Sequence, residues 1–341
     1  MPDPGAGPRP QAALSMVPGY EDYVLSPATR QELDSLVDLV SPTAVDLRAL
    51  DDDTLAGIGV VVGSWGCNRL DADLLARMPG LRHLAYAAGT VKATVTPATW
   101  EHGVRVSSAA AANALPVAEF TFAAIVMIAK DVFRVRDRFR EVRGKEPVFG
   151  RGPAGVVGTV GLRVGIIGAS MVGRLVMERL RSLDVEVAVS DPYVTAGDAA
   201  ALGVAAMELD DLFGWADVVS VHAPELPETR HLVDARRLAL MRDGAWLVNT
   251  ARGSIVDTDA LTRECVAGRL CAFVDTPDPE PLPPESPLYD LPNVVLTPHI
   301  AGSLGSEATR LGDVAVAEIR RGLAGEPLLH EVHATDLERI A

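Results

Sequence analysis

Blocks of apolar residues and stretches of helical periodicity divide the chain into strand–helix units. The clearest unit begins with Val164, Ile166 and Ile167, an apolar run ending at Gly168. From Met171 to Leu183 the period changes. Val172, Leu175, Val176, Leu180 and Leu183 recur at i, i+3 and i+4, with Arg179 the one polar interruption, which is the spacing of a helix with one buried face. A strand that feeds a helix through glycines presents unpaired backbone N–H groups, so this turn reads as an anion site of the kind that takes a pyrophosphate.

The same alternation runs along most of the chain. Before this unit, the pattern predicts strands at 12–17, 58–63, 81–87 and 104–107. A helix capped by Ser26-Pro27 runs to about Leu39, with Leu33, Leu36 and Val37 inward, and another covers 70–78. Residues 47–55 fit either class. Ala109–Leu115 reads as a small-residue connector, and Pro116 starts one long helix from Val117 to about Arg140, apolar at Phe120, Phe122, Ile125, Val126 and Ile128 and charged in its second half. Gly144–Gly161 is a Gly/Pro-rich loop. After the glycine turn, strands fall at 185–190, 218–223, 245–251, 270–275 and 293–298, helices at 208–216, 234–241 and 257–267, and a closing helix at 304–323. Strands separated by helices pair in parallel. The fold class is therefore α/β, with a doubly wound parallel sheet and a second, smaller α/β domain ahead of it.

The chain has 341 residues, enough for two domains, and 48% of them are hydrophobic. Its formal charge of −15 excludes nucleic acid and anionic membrane as partners. The longest mainly apolar stretch, Phe120–Ala129, is too short to span a bilayer, and the Pro/Gly-rich start has no long apolar core, so it does not read as a secretory signal. Residues 1–10 read as a disordered tip. Cys67, Cys265 and Cys271 fit no metal or redox spacing, so no metal is expected, and so sparse a count suits the reducing cytoplasm.

Candidate chemistry clusters where the predicted strands end. The dinucleotide fingerprint G-x-G-x-x-G has Gly168 and Gly173 in place but Ser170 in the middle position. Asp191 closes the next strand, 18 residues past Gly173, where an acidic residue binds the ribose 2′-hydroxyl. It would repel a 2′-phosphate, and no Arg or Lys lies within 190–196, so NADH is expected over NADPH. Arg252 follows the strand at 245–251, Glu280 lies in the proline-rich loop after Asp275, and His299 follows Leu296-Thr297-Pro298. A guanidinium can hold the carboxylate or keto oxygen of a 2-keto acid. An imidazole can exchange a proton with the oxygen that gains charge as hydride reaches carbon. A neighbouring carboxylate orients that imidazole and favours its charged form.

These segments resemble the D-isomer-specific 2-hydroxyacid dehydrogenase family. VNTARGSIVD (Val248–Asp257) is similar to its arginine signature. Val274–Gly302 resembles its glutamate-to-histidine segment, with 19 residues from Glu280 to His299. VHAPELPETRHLV (Val221–Val233) resembles its strand and loop beside the nicotinamide, and NALPVAE (Asn113–Glu119) its crossover into the cofactor domain. The resemblance implies Arg252 for the substrate carboxylate, His299 as acid/base and Glu280 as its partner. For the cofactor it implies Gly168, Ser170, Met171, Val172, Gly173, Asp191, Ala223, Pro224, Thr229, Thr250, Ala251, Arg252, Asp275, His299, Ala301 and Gly302. For the substrate it adds Trp65, Ala88, Gly89 and Thr90.

It further implies a nucleotide domain of Rossmann type over 113–303, a discontinuous flavodoxin-like substrate domain from 11–112 and 304–341, and a homodimer with the helix from Val117 at its interface. The chain departs from the family pattern at Ser170 and in the substrate loop, where Ala87-Ala88-Gly89-Thr90-Val91-Lys92 stands for the usual glycine pair. Trp65 occupies a place where phosphoglycerate-type members tend to carry a basic residue, which points to a more apolar pocket. The reading is an NAD-dependent oxidoreductase acting on a hydroxypyruvate- or glyoxylate-like 2-keto acid. Its rival is a dinucleotide-sensing, corepressor-like binding protein. Glu280 weighs against formate dehydrogenases, which carry Gln in that place.

Overall fold

The computed structural model describes residues 9–143 and 158–337. The tip expected at 1–10 and the loop expected at 144–161 lie for the most part outside the described residues. The chain forms two compact units. One comprises the residues up to Ala114 and those from Ser303 onward; the other is Leu115–Gly302.

The first unit is built on a five-stranded sheet of β1 (Gln11–Ser15), β2 (Asp38–Leu39), β3 (Ile58–Gly63), β4 (His83–Tyr86) and β5 (Arg105–Ser108), in the order β2-β1-β3-β4-β5. Every pairing is parallel. This is the flavodoxin-like order, with its switch point between β1 and β3. Helices α1 (Glu21–Val24), α2 (Pro27–Leu36), α3 (Asp52–Gly57), α4 (Ala72–Ala76) and α5 (Pro97–Glu101) connect the strands. Their starts follow from local chemistry: Ser26, Asp51 and Asp71 each accept an N–H of the first helical turn. The helix from Ser26 stops at Leu36, and Asp38–Leu39, expected within it, is strand β2 on the sheet edge. Residues 47–55 resolve into a 3₁₀ turn, Leu47–Ala49, and the start of α3.

Two expectations about the segment after β5 are corrected. Ala110–Leu115 is not a connector; α6 runs from Ala110 to Ala129 with Pro116 inside it. Nor does one helix reach Arg140. It breaks at Asp131, which adopts φ 53°, is buried and pairs with Arg134, and α7 (Val132–Val142) starts afresh. Alanine-rich composition lets the first turns stay helical, and a left-handed residue ends the run. The 20-residue α6, with mean hydropathy 1.7, is longer than the apolar stretch measured from sequence and is long and apolar enough to cross a membrane. Its Ala118, Ala124, Ile125, Ile128 and Ala129 lie instead in the core of the second unit.

That unit carries seven strands: β6 (Arg163–Ile167), β7 (Glu186–Ser190), β8 (Ala205–Ala206), β9 (Val218–Val221), β10 (Trp246–Asn249), β11 (Cys271–Val274) and β12 (Val294–Leu296). Their order is β12-β11-β10-β9-β6-β7-β8, all parallel. Helices α8 (Met171–Leu180), α9 (Ala196–Ala201), α10 (Leu209–Trp215), α11 (Ala235–Leu240) and α12 (Thr258–Val266) cover its faces, and α13 (Thr309–Leu323) packs in the first unit. Two apolar clusters, one centred on Phe213, Leu247 and Ala272 and one on Ile166, Val176 and Val248, sandwich the sheet. The short α9 and β8 carried no sequence signal strong enough to be read. The order reverses between β6 and β9, and such a sheet gathers ligands beyond its strand tips at that point.

Candidate active site

The turn after β6 is built for close backbone approach. Gly168 adopts φ 92°, and a Cβ there would sit 2.7 Å from the backbone of Ala223. A Cβ on Gly173 would lie 2.1 Å from the Gly168 carbonyl oxygen. Neither place admits a side chain. Ser170 is different: its φ −62° and ψ 177° are open to any residue, and its Oγ accepts the Gly173 N–H at 3.2 Å. The serine that interrupts the fingerprint is the N-cap of α8. The N–H groups of Ser170, Met171 and Val172 have no acceptor among the described residues. Three free donors at the positive end of a helix, with the sheet backbone held close by two glycines, fit a dinucleotide pyrophosphate.

Asp191 sits at the tip of β7 and reaches back to this turn. Its Oδ2 accepts the Ala169 N–H at 2.7 Å and its Oδ1 the Tyr193 N–H at 2.8 Å. The carboxylate therefore stands beside the glycine turn. Ala223 and Pro224 leave β9, and Thr229 donates its hydroxyl to the Pro224 carbonyl at 2.6 Å, closing that loop on itself.

The tip of β10 is held by Asn249, which bonds the Arg252 carbonyl, the Thr276 carbonyl and the Ala251 N–H at 3.0, 3.3 and 3.1 Å. Thr250 lies against Thr121 of α6, hydroxyl to hydroxyl at 2.7 Å; Thr121 donates to Val117, so Thr250 is the donor of that pair. Arg252 is half-buried and spends one N–H on the Ala251 carbonyl at 2.7 Å. A Cβ on the next residue, Gly253, would fall 2.2 Å from the Pro277 carbonyl oxygen. The arginine loop is thereby pressed against the proline-rich loop that carries Glu280.

His299 and Glu280 meet. The imidazole Nδ1 lies 2.8 Å from Glu280 Oε1, both side chains nearly half exposed. That bond leaves Nε2 as the ring's outward nitrogen. His299 adopts φ 55° in a turn built on Asp275, whose carboxylate is fully buried. Asp275 Oδ1 accepts from Thr297 Oγ1 at 2.6 Å and Ile300 N at 2.9 Å, Oδ2 accepts from Ala301 N at 3.0 Å, and its own carbonyl accepts the His299 N–H at 2.9 Å. Gly302 ends the turn, half-buried. No hydrogen bond joins Arg252 to His299 or Glu280 among the described residues.

Trp65, Ala88, Gly89 and Thr90 belong to the five-stranded unit. Ser64 Oγ donates to the Ala87 carbonyl at 2.9 Å, tying the tip of β3 to that of β4. Ser108 donates to the carbonyls of Ala88 and Gly89 at 3.3 and 2.5 Å. The Ala88, Gly89 and Thr90 N–H groups have no acceptor among the described residues, which leaves them as donors for an anion.

The sequence reading missed Asn249, Thr121, Thr297 and His222. His222, at the end of β9, is buried with Nε2 2.8 Å from Ser220 Oγ and Nδ1 unpartnered, and burial pushes its pKa down to about 3. It stood in the quoted segment VHAPELPETRHLV, and a histidine at a strand exit was a signal already applied to His299. Asn249 and Thr297 sit at the ends of buried strands and Thr121 inside α6, and in sequence none differs from an ordinary polar residue of its element.

Comparison with known proteins bears on this arrangement. The profile of the D-isomer specific 2-hydroxyacid dehydrogenase NAD binding domain matches residues 122–301. A D-3-phosphoglycerate dehydrogenase of Mycobacterium tuberculosis is 34% identical over 260 residues, 75% of this chain and 48% of that protein. The chain thus spans about half the length of the phosphoglycerate dehydrogenases it matches. An (S)-sulfolactate dehydrogenase of Chromohalobacter salexigens is 33% identical over 285 residues, 82% of this chain and 90% of that one. Among solved structures, a phosphoglycerate oxidoreductase from Rhizobium etli superposes with TM-score 0.77 at 26% identity, covering 95% of this chain and 99% of the other.

Proposed function

Because the chain belongs to the D-isomer specific 2-hydroxyacid dehydrogenase family, we propose that it is an NAD-dependent oxidoreductase that interconverts a small 2-keto acid and its D-2-hydroxy acid. The observation that carries this reading is the His299–Glu280 pair at 2.8 Å, set on the same strand-tip edge as the free N–H groups of the glycine turn. An oriented imidazole there supports chemistry over sensing alone.

The cofactor, when bound, supplies or accepts the hydride. Ser170, Met171 and Val172 would hold its pyrophosphate, and Asp191 its adenosine ribose. Met171, Ala223, Pro224, Thr250, Ala251 and the His299–Gly302 turn border the same edge. Asp191 supports NADH over NADPH, since a 2′-phosphate would meet a fixed carboxylate. Arg252 binds the carboxylate of the acid with the guanidinium N–H groups it does not spend on Ala251. In reduction His299 delivers a proton from Nε2 to the keto oxygen; in oxidation it takes the hydroxyl proton, while Glu280 stabilises the imidazolium. Asp275 shapes the turn that presents His299. The Ala88–Thr90 amides of the five-stranded unit are carboxylate donors.

Cytoplasmic placement is supported by three free cysteines, two of them buried. Exposed Met127, Val132 and Phe139 along α6 and α7 support a homodimer. The deciding experiment is NADH oxidation across a panel of 2-keto acids with the purified protein. Turnover with at least one acid is expected; tight NADH binding with no turnover on any acid would establish the sensing alternative instead.

A further inference from the structure

At the switch point of the five-stranded sheet, three aromatic rings stand together. Trp65 follows the tip of β3; Tyr20 and Tyr23 come from the loop after β1 and the start of α1. The Tyr20 and Trp65 rings meet edge to face with centroids 6.2 Å apart, Tyr23 lies 6.5 Å from Trp65, and the tyrosines are 5.7 Å apart. The group is fixed from below and from the side. The Val17 N–H donates to the Trp65 carbonyl at 2.7 Å, and the Tyr23 hydroxyl accepts the Gly305 N–H at 2.8 Å. Tyr23 and Trp65 rest on the core of this unit. Tyr20 is 38% exposed, and Val17 and Leu304 are more exposed still. A rigid aromatic group with an open apolar margin is a surface that gains by being covered.

Its neighbour is the carboxylate loop. Ser64, one residue before Trp65, is bonded to the Ala87 carbonyl, one residue before the free Ala88 N–H. The wall and the anion donors thus leave adjacent strands. The wall's charge is one-sided. Residues 15–23 and 63–68 contain no Lys or Arg, whereas Glu21 and Asp22 sit between the two tyrosines, Glu21 fixed by the Gly19 N–H at 2.9 Å. These two stretches offer a second anionic group on a substrate no cation, and Lys92, beyond Thr90, is the one cation of the loop from Ala87 to Lys92.

We propose that Tyr20, Tyr23 and Trp65 form the side-chain site of the substrate and select 2-keto acids with an aromatic or branched apolar side chain over glyoxylate and over acids bearing a phosphate. This rests on the dehydrogenase reading above. An aryl ring extends the edge-to-face packing that Tyr20 and Trp65 already make.

The test is kcat/KM with NADH for phenylpyruvate, 4-methyl-2-oxopentanoate, glyoxylate and 3-phosphohydroxypyruvate. The wild-type protein is expected to favour the first two by roughly tenfold or more, the scale on which apolar pockets discriminate. Trp65→Ala and Tyr20→Ala should each lower the phenylpyruvate-to-glyoxylate ratio about tenfold, with Tyr20→Phe retaining it. A preference for glyoxylate or for 3-phosphohydroxypyruvate overturns the assignment while leaving the dehydrogenase reading intact, as does a ratio that neither alanine variant moves. Absence of turnover with all four acids and with any other 2-keto acid removes the dehydrogenase reading itself, and the site with it.

Discussion

His299 and Glu280 come from different loops, 19 residues apart, yet their side chains share a 2.8 Å hydrogen bond through Nδ1. That bond fixes the ring and commits Nε2 to the outside. His299→Ala should lower kcat by about 10²–10⁴. Glu280→Gln should lower it by at least roughly tenfold with little change in KM, because it disturbs the ring's charge partner and not the substrate's carboxylate. Steady-state kinetics on the best 2-keto acid checks both; full activity in the alanine variant would remove the histidine from the mechanism.

The carboxylate of Asp191 is predicted to discriminate between cofactors. Asp191→Ala should weaken NADH binding by about 1–3 kcal/mol, since it loses the ribose contact and releases the Ala169 and Tyr193 N–H groups that hold the turn in place. The ratio of NADPH to NADH affinity should rise. Fluorescence titration with both nucleotides measures it, and an unchanged ratio would refute the ribose assignment.

The glycine turn makes unequal predictions for two positions of one motif, three residues apart. Gly173→Ala places a methyl 2.1 Å from the Gly168 oxygen and should destabilise the unit by about 1–3 kcal/mol and abolish cofactor binding. Ser170→Gly loses a cap and should cost only a few tenths of a kcal/mol. Urea denaturation and NADH titration of the two variants decide.

Acid should destabilise the fold before its carboxylates titrate. Burial lowers the pKa of His83 to about 4 and of His222 to about 3, from 6.5. Arg105 pushes His83 the same way, against Glu331. Both are neutral when folded and take up protons when unfolded, so stability is complete above pH 6.5 and is lost as pH falls from there toward 4. The slope is about 1.4 kcal/mol per pH unit for each histidine, or up to about 4 kcal/mol by pH 5. Urea midpoints at pH 7 and 5 test this, and His83→Gln should flatten the slope; equal stability at the two pH values would refute it.

Asp275→Ala should cost at least about 2 kcal/mol, because two amides and the Thr297 hydroxyl lose their buried acceptor. It should also depress kcat through the displaced His299 turn. Chemical denaturation and kinetics on Asp275→Asn, which keeps an acceptor, separate lost activity from lost folding.

Much of this was legible in the sequence because parallel strands announce themselves. Ile58–Gly63 is buried on both sides and reads as an unbroken apolar run with nothing else to be. Asp191, Arg252 and His299 could be placed at strand tips once the strands were placed. The break at Asp131 was not legible, since a left-handed aspartate inside a continuous apolar-to-charged pattern leaves no periodic trace. The capping role of Ser170 was hidden by comparison with a pattern written in glycines. Asp275 was assigned to the cofactor, and its part in holding the His299 turn depends on backbone groups 25 and 26 residues away, which no local pattern reports.

The close approach of Gly253 to Pro277 has a consequence for how this chain can change over time. The loops that bear Arg252 and Glu280 interlock at one atom's clearance, so neither can lengthen or drift without carrying the other. Diversification at that edge is locked by a shared joint. New tastes in substrate must come from the freer margins of the five-stranded unit, where Val17, Tyr20 and Leu304 border open solvent and can be exchanged one at a time.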